Sequence, residues 1–298
     1  MANFCNVDGR IVPETEAVVP VLDRGFLFGD SIYEVIRTRH GSLFAWREHL
    51  DRLRDSAKGI GMALSLDDTE ILRRILATMQ TAANREHYVR IVVTRGDGTA
   101  PSIDLRTATG RERWIVFARA LPPAPTDVRL QIIGRLRNDR RALDPAVKSG
   151  NYLNNVLGLA EAQQAGATDC LFLNTQGFLT EASTSNLFVV RRDEWITPPL
   201  HAGILAGVTR ALLLKWLRDH GERATERDLS RDDVLSADAV FTSSTLRDVA
   251  PVSHVDGHCV GNATTLDFVR RLGSDFTAHC DRRAAEHDGP DALALAAP

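Results

Sequence analysis

An α/β fold with two domains is predicted for this chain by three features of its sequence. Predicted strands and helices mix without strict βαβ alternation, so the class is α/β in the loose sense that includes α+β. At 298 residues, the chain exceeds the size at which one hydrophobic core usually stops growing. A Pro-rich stretch near residue 124 interrupts any strand or helix. We therefore predict a small N-terminal domain, an interdomain linker, a larger C-terminal domain and a poorly ordered tail at residues 1–121, 122–128, 129–280 and 281–298.

The N-terminal domain is predicted to begin with two hairpins. Apolar residues flank Asp8-Gly9, and the segment 29–46 alternates in hydropathy around His40-Gly41. Such dipeptides between alternating segments favour tight hairpin turns. Apolar residues at helical spacing then predict two helices, and β-branched runs predict two strands, at residues 47–62, 67–83, 87–96 and 113–121.

The C-terminal domain is predicted to combine strands and helices in a mixed order. A loop at residues 144–151 leads from the first strand of this domain into its first helix. A turn at residues 175–185 separates two apolar strands. The predicted strands are residues 128–134, 169–174, 186–192 and 239–245, and the predicted helices are residues 152–166, 207–221 and about 265–272.

Composition excludes several classes of function. The chain is 44% hydrophobic and 25% charged, as in an ordinary globular protein. A net charge of -3 argues against nucleic-acid binding, and no apolar run approaches the length of a membrane span. The N-terminus lacks the pattern of a secretory signal, so we predict a cytoplasmic protein. The cysteines have no metal-ligand spacing, and we expect neither a metal site nor a disulfide framework for Cys5, Cys170, Cys259 and Cys280.

Only three lysines could supply a primary amine for chemistry. Lys58 and Lys215 lie on predicted amphipathic helices, where the solvent face is the simplest location. Lys148 lies in a loop directly before Ser149-Gly150-Asn151, with no charged residue within three positions. A loop lysine is usually solvated. A lysine carried inward would instead be a nucleophile toward an aldehyde, and the neighbourhood of Lys148 favours that interpretation.

Three short elements could together bind a phosphate monoester. Gly207-Val208-Thr209 opens a helix, Ser243-Ser244-Thr245 ends a strand, and Arg52 could add a positive charge. Each element alone is weak, because a Thr at a helix start is usually a cap and an Arg on an amphipathic helix is usually solvated. Glu181, in the predicted turn, could lie beside a ring nitrogen, although a turn carboxylate is more often in solvent.

These elements follow one another in a distinctive order. The motifs are DRGFLFGDSIYEVIR, EHLDRLRDSA, VTRG, KSGNYLNN, LTEASTSNLF, GILAGVTR and TSSTLRDVAPV. In this order they resemble class IV, or fold type IV, pyridoxal-phosphate enzymes across roughly residues 3–272. The resemblance implies an aminotransferase with a small N-terminal and a larger C-terminal α/β domain. It also implies a homodimer or larger assembly with sites near domain and subunit interfaces, acting on small-molecule amino donors and keto acids.

The resemblance implies a role for each matched residue. Lys148 would be the catalytic lysine that holds pyridoxal 5′-phosphate as a Schiff base and carries the proton. Glu181 would pair with the pyridine nitrogen, Tyr152 would bond the phenolic oxygen, and Leu205 would pack on the ring. The phosphate would be held by Arg52, Val208, Thr209, Ser244 and Thr245.

The substrate is less well specified by the same resemblance. Tyr33 and Arg95 match positions that bind the α-carboxylate in D-amino acid aminotransferases. Tyr88 and Arg90 instead match the Y-x-R of branched-chain enzymes, but Phe28 replaces a tyrosine found there.

On this basis a D-amino acid such as D-alanine or D-glutamate is favoured as donor, with 2-oxoglutarate or pyruvate as acceptor. A branched-chain L-amino acid aminotransferase, an R-selective amine transaminase and an aminodeoxychorismate lyase-like enzyme remain alternatives, as does a non-catalytic scaffold. Arg95 could also simply pair with Asp97 across a turn.

Overall fold

The computed structural model describes residues 3–124 and 127–297, which fall into two compact units. The first unit comprises Met1–Pro122, Val147–Asn151 and Cys280–Pro298, and the second comprises Pro123–Ala146 and Tyr152–His279. Residues 147–151, which the sequence placed in the larger domain, belong to the first unit because their backbone pairs with a strand there: Ser149 forms a bridge with Ile32. Part of the predicted linker, residues 125 and 126, lies outside the described residues.

The first unit is built on an antiparallel six-stranded sheet in the order β2-β1-β6-β5-β3-β4. Both predicted hairpins are confirmed, and Asp8 and Gly9 both have positive φ, as a two-residue turn of this kind requires. The strands are β1 Phe4–Val7, β2 Arg10–Pro13, β3 Ser31–Arg39, β4 Ser42–Leu43, β5 His87–Thr94 and β6 Arg113–Ala120. The helices are α1 Arg24–Phe28, α2 Trp46–Gly59 and α3 Asp68–Ala82, with α8 Gly289–Leu295 near the end of the chain.

Helices α2 and α3 cover one face of the six-stranded sheet. The other face makes different contacts. Side chains alternate between the two faces of a strand, so Ile32, Glu34 and Ile36 of β3 share one face while Tyr33 lies on the other. Ile32 and Ile36 are fully buried in a core with Leu50 and Leu53 of α2. The opposite face therefore presents Tyr33.

The second unit contains a nine-stranded mixed sheet in which β10 and β9 also pair, so six of its strands form a closed ring. Its strands are β7 Val128–Leu136, β8 Asp169–Leu173, β9 Leu179–Ala182, β10 Asn186–Arg191, β11 Glu194–Thr197, β12 Arg223–Glu226, β13 Ala239–Ser244, β14 Asp248–Val255 and β15 His258–Cys259. Its helices are α4 Leu153–Gln164, α5 Val208–Asp219, α6 Arg231–Leu235 and α7 Ala263–Arg283, whose last residues belong to the first unit. The parallel pairing of β7 with β8 follows from the helical crossover through α4.

Residues 281–295 of the C-terminal tail are helical, which corrects the disorder predicted for them; residue 298 lies outside the described residues. Helix α7 extends to Arg283, a π-helical turn covers Ala284–Asp288, and α8 follows. Asp288 accepts a hydrogen bond from the backbone N of Ala45 through its carboxylate and another from the indole of Trp46 through its carbonyl, both at 2.9 Å. The small, polar composition misled the sequence interpretation because small side chains such as Ala292 pack in the core of the first unit.

None of the helices within residues 3–124 and 127–297 is both long and apolar enough to span a membrane.

Candidate active site

Lys148 is held by its backbone and directs its amine toward Tyr33. Its backbone N donates to the buried Ser56 hydroxyl at 3.1 Å, and its carbonyl accepts from the backbone N of Tyr33 at 2.9 Å. The Nζ atom lies 3.3 Å from the Tyr33 hydroxyl and 4.4 Å from the centre of its ring. The other two lysines are 78% and 73% exposed, and each pairs with a nearby aspartate: Lys58 with Asp55 and Lys215 with Asp219. The amine singled out from the sequence is thus the half-buried one.

The segment that carries Lys148 can approach β3 because it contains a glycine. The backbone N of Gly150 donates to the Ser31 carbonyl at 2.8 Å. A Cβ at this position would lie 2.2 Å from the Ser31 hydroxyl, so any larger residue would push the segment away. Asn151 adds a hydrogen bond from its amide to the Gly29 carbonyl at 3.0 Å. Gly150 therefore allows the close approach of the two backbones, and Asn151 adds a hydrogen bond between them.

Arg90 contacts the same aromatic ring as Lys148. Its guanidinium carbon lies 4.1 Å from the centre of the Tyr33 ring. In residues 3–124 and 127–297, no hydrogen bond or ion pair to the Arg90 guanidinium is found, although the residue is half-buried. A guanidinium in this situation has all its donors available for a carboxylate. The structure brings together three of the predicted residues: Lys148, Tyr33 and Arg90.

Arg95 has a different environment from the one predicted. Its Nε donates to both Asp30 carboxylate oxygens at 3.0 and 2.8 Å, and its other nitrogens donate to the backbone carbonyls of Gly61 and Ile60 at 3.0 and 2.7 Å. Asp97 instead pairs with Arg113, so the suggested turn pair with Arg95 is wrong. Every guanidinium nitrogen of Arg95 thus makes at least one hydrogen bond within the protein, and its role in binding a substrate carboxylate stays a prediction.

The two remaining predicted substrate residues lie in different elements. Tyr88 is half-buried and lies two residues before Arg90 on β5, so both side chains project from the same face of the sheet. Phe28 ends α1, and its ring centre lies 5.3 Å from the guanidinium carbon of Arg24. Neither arrangement tests a role in substrate binding, which stays a prediction for both residues.

A buried ionic cluster behind Tyr33 was missed by the sequence interpretation. Glu34 is fully buried, and its carboxylate accepts from Nε and Nη2 of Arg52 at 2.7 and 2.8 Å and contacts Nδ1 of His49 at 2.7 Å. Burial alone would raise the pKa of the Glu34 carboxyl, but Arg52 and then His49 hold that pKa well below its ordinary range. Burial also lowers the pKa of His49, which favours the neutral ring. The sequence did contain a signal for this cluster, because Glu34 occupies a core-facing position between Ile32 and Ile36.

Arg52 was predicted to hold a phosphate, and the structure adds a partner to that prediction. The bidentate pair with Glu34 fixes the plane of its guanidinium. The proposed contact with phosphate itself stays a prediction.

Glu181 lies on strand β9 and not in the predicted turn, and it is buried, so the alternative that its carboxylate lies in solvent is wrong. Its Oε1 accepts from Nε and Nη2 of Arg137 at 3.1 and 2.8 Å. Its Oε2 accepts from the amide of Asn186 at 3.1 Å and from the backbone N of Leu205 at 3.0 Å. The strand was mistaken for part of a turn because it is only four residues long and is joined to its neighbours β8 and β10 by short connections. Arg137 was also missed, because nothing local distinguishes it from the other arginines around it.

The predicted hydroxyl elements lie on strands next to Glu181. Asn186 pairs with Glu181 on one side and with Ser243 on the other, so these residues form a row across β9, β10 and β13. In the described part of the chain, the buried hydroxyls of Ser243 and Ser185 have no hydrogen-bond partner. Such orphaned groups indicate a polar ligand or water at this position.

The helix start predicted to bind phosphate is also present in the second unit. Helix α5 begins at Val208, and Thr209 is buried in its first turn. The preceding Gly207 approaches Asn186 so closely that a Cβ would lie 2.0 Å from its side-chain oxygen. Ser244 ends β13 with Thr245 directly after it, and Tyr152 precedes α4 as a half-buried residue.

The comparisons with known proteins agree with this chemistry. The family model for amino-transferase class IV matches residues 31–255. This chain belongs to the class IV aminotransferase family. A Methanocaldococcus jannaschii protein provisionally named a branched-chain-amino-acid aminotransferase is 34% identical over 91% of this chain and 94% of its own. The D-alanine aminotransferase of Bacillus licheniformis is 31% identical over 86% of this chain and 89% of its own.

Solved structures confirm the fold of this class IV aminotransferase. The branched-chain aminotransferase of Thermoproteus uzoniensis has a TM-score of 0.87 at 25% identity, covering 99% of this chain and 98% of that one. The branched-chain amino acid aminotransferase of T.th., complexed with N-(5′-phosphopyridoxyl)-L-glutamate, has a TM-score of 0.87 at 27% identity, covering 97% of both chains. The enzyme is therefore a pyridoxal-phosphate-dependent aminotransferase that acts on amino acids and keto acids.

Each unit, taken by itself, contains groups that would fit one part of such a cofactor. The first unit supplies a positioned amine on Lys148. The second unit supplies the buried carboxylate of Glu181, unpartnered hydroxyls and a helix start, which are the groups that suit a ring nitrogen and a phosphate.

Proposed function

We propose that this enzyme transfers amino groups between an α-amino acid and a 2-keto acid such as 2-oxoglutarate, with Arg90 binding a substrate carboxylate. The observation that carries the proposal is the half-buried Arg90 guanidinium, which contacts the Tyr33 ring 4.1 Å away while Lys148 contacts the same ring. A guanidinium next to the reacting lysine favours an anionic group on the substrate. Arg95 is the weaker candidate for this role, because its charge is already paired with Asp30.

Among donors, we propose branched-chain L-amino acids as the first candidate class. The sequence favoured D-amino acids through Tyr33 and Arg95, but the pairing of Arg95 with Asp30 weakens that argument. The motif Tyr88-Val89-Arg90 matches the Y-x-R of branched-chain enzymes, and Arg90 has donors available. A D-amino acid such as D-alanine is the second candidate, because Tyr33 does lie at the amine of Lys148.

We propose the following roles for the residues of the site. Pyridoxal 5′-phosphate supplies a carbonyl carbon that accepts amines and a ring that withdraws electrons from the substrate. Lys148 binds that carbon in the resting enzyme and moves the substrate proton when its amine is released. Tyr33 keeps the amine in position through its hydroxyl, 3.3 Å from Nζ.

Glu181 is proposed to partner the ring nitrogen. The Arg137 guanidinium and two further donors hold its carboxylate in one orientation inside the unit. Tyr152 is proposed to bond the phenolic oxygen, and Leu205 to pack on the ring, beside its backbone bond to Glu181. The phosphate would be bound by Arg52, Val208, Thr209, Ser244 and Thr245.

The role of Lys148 is tested by comparing the three lysines. We expect borohydride to trap pyridoxal phosphate on Lys148 alone, as located by peptide mass spectrometry. Lys148→Ala should abolish both the adduct and transamination, whereas Lys58→Ala and Lys215→Ala should retain both because those side chains are exposed. Full activity in Lys148→Ala would refute the assignment.

The role of Arg90 is tested with substrates that carry a carboxylate and with a donor that lacks one. Arg90→Ala should raise KM for 2-oxoglutarate and for L-leucine by about tenfold to a hundredfold, the worth of a charge-assisted hydrogen bond. KM for R-1-phenylethylamine, which lacks a carboxylate, should not change if that donor is used at all. Arg119→Ala is the matched control, because Arg119 is exposed and pairs with Glu14. A wild-type KM for both acids in Arg90→Ala would overturn the proposal, and faster turnover of D-alanine than of L-leucine would select the second donor class.

We further propose that the enzyme is a cytoplasmic homodimer or larger homo-oligomer. Large apolar side chains are exposed on the first unit at Val18, Val21, Phe26 and Ile103, where an isolated protomer would leave them in water. Light scattering on the purified holoenzyme gives the mass, and a protomer mass at micromolar concentration would contradict the proposal. Cell fractionation tests the location.

A further inference from the structure

A hairpin in the second unit places a histidine beside an exposed cysteine. Asp256 and Gly257 have φ values of 50° and 74°, which a tight two-residue turn between β14 and β15 requires. This turn pairs Val255 with His258 and His254 with Cys259. Residues paired across two strands project to the same face, so the imidazole and the thiol meet there. Cys259 Sγ lies 3.2 Å from His254 Nε2.

The groups that contact the other ring nitrogen of His254 determine whether its Nε2 donates or accepts in the contact with Cys259. Asp127 pairs with Arg129 through one carboxylate oxygen and accepts from the Ser253 hydroxyl through the other at 2.5 Å. The alternative acceptor for that hydroxyl, the Val128 carbonyl at 3.4 Å, also cannot donate. Since the single proton of Ser253 is donated away, the 3.0 Å contact between its oxygen and His254 Nδ1 requires the proton to be on Nδ1. Nε2 of the neutral ring is then an acceptor facing the thiol.

We propose that Cys259 is a thiol modification site, at which His254 takes the thiol proton and the resulting thiolate exchanges with a low-molecular-weight disulfide. The arrangement is that of an activated nucleophile: a thiol, a base within hydrogen-bond reach and a third group that orients the base. Cys259 Sγ attacks one sulfur of the disulfide, a new S–S bond forms, and the original S–S bond breaks. The departing thiolate takes the proton from His254 Nε2, so no other oxidant or reductant is needed.

The other three cysteines are not accessible to a disulfide in solution. Cys5, Cys170 and Cys280 are buried. Burial raises the pKa of Cys5 to about 11 and that of Cys170 to about 12, so neither thiol is ionised at neutral pH. Exchange is therefore expected at one position in the native protein.

The proposal is tested by reacting the holoenzyme at neutral pH with oxidised glutathione and, for rates, with an aromatic disulfide. We expect one fast equivalent per chain, located at Cys259 by peptide mass spectrometry and absent in Cys259→Ser. His254→Gln should slow the reaction about tenfold, because only the thiolate attacks and its proton acceptor has been removed. Ser253→Ala should give an intermediate rate, because His254 then loses the group that fixes its tautomer.

His258→Gln is the matched control, since this exposed neighbour lies across from Val255 rather than Cys259. Its rate should equal that of the wild type. Transamination and thermal melting, measured for every variant, verify that the hairpin variants are folded. A wild-type rate in His254→Gln, or labelling at a buried cysteine, would overturn the proposal.

Discussion

The hydroxyl of Tyr33 lies 3.3 Å from the amine of Lys148, while the next residue on the same strand, Glu34, is fully buried and paired with Arg52. Alternation along β3 therefore gives the two faces of the sheet different functions. One face presents an aromatic ring to two cations. The other holds an ionic cluster against helix α2. Strand β3 thus provides Tyr33, which contacts the amine of Lys148, and Glu34, which pairs with Arg52, a predicted phosphate ligand.

Tyr33→Phe is expected to lower kcat by about tenfold to a hundredfold, because a hydrogen bond to a charged or reactive amine contributes about 1.5–3 kcal/mol. The ring that supports Arg90 remains, so KM should change less than kcat. Steady-state kinetics with saturating cofactor measure both values. Tyr88→Phe, on the neighbouring strand, is the control and should retain more activity. An unchanged kcat in Tyr33→Phe would mean that the hydroxyl does not position Lys148.

Glu34→Gln is expected to destabilise the protein by about 3–5 kcal/mol, the usual cost of removing one partner from a buried ion pair. Arg52 and His49 would both lose their anionic partner. Urea unfolding of the holoenzyme measures the change. Glu70→Gln removes a carboxylate from a more exposed pair with Arg73 and should cost less than about 1 kcal/mol. Equal midpoints for the two variants would contradict this account.

The stability should depend on His49 as the pH falls below about 6.5. Burial lowers the pKa of His49 below its ordinary value of 6.5, so the folded ring stays neutral while the unfolded ring takes up a proton. The unfolded state then binds more protons, and the free energy of unfolding decreases by up to ~1.4 kcal/mol for each unit by which the pH is lowered in this range.

Urea midpoints at pH 7.5 and 5.5 measure the effect, and His49→Gln should show a smaller difference than the wild type. Glu34, whose pKa is lowered, contributes to the pH dependence only below its ordinary value of 4.5. The same midpoint difference in both proteins would show that His49 does not titrate in this way.

Arg137→Ala is expected to weaken pyridoxal phosphate binding by about tenfold to a hundredfold. The variant would leave the buried Glu181 without its cation and without two hydrogen bonds, so the carboxylate proposed for the ring nitrogen would lose its orientation. Equilibrium titration of the apoenzyme with cofactor measures the affinity directly. Arg135→Ala, an exposed arginine two residues earlier on β7, should bind the cofactor normally. Wild-type affinity in Arg137→Ala would show that Arg137 does not support cofactor binding.

The lysine proposed to bind the cofactor could be predicted from the sequence because the chain contains few lysines. Only three lysines exist, two of which fall on amphipathic helices, and the structure leaves Lys148 half-buried while the other two are exposed. The class of fold and the two hairpins were also predictable, since turns and periodicity are local properties of the chain. Family membership followed from the order of the motifs.

Other features were decided only by tertiary structure. Arg95 and Arg90 are both arginines on or after β5, and only their three-dimensional neighbours show that Asp30 neutralises one while the other faces Tyr33. The burial of Glu181 depends on Arg137, forty-four residues earlier in the chain. The order of the tail depends on the indole of Trp46 reaching Asp288. Local sequence sets which groups are present, but the pairing of charges depends on distances between segments that are remote along the chain, and these distances exist only after folding.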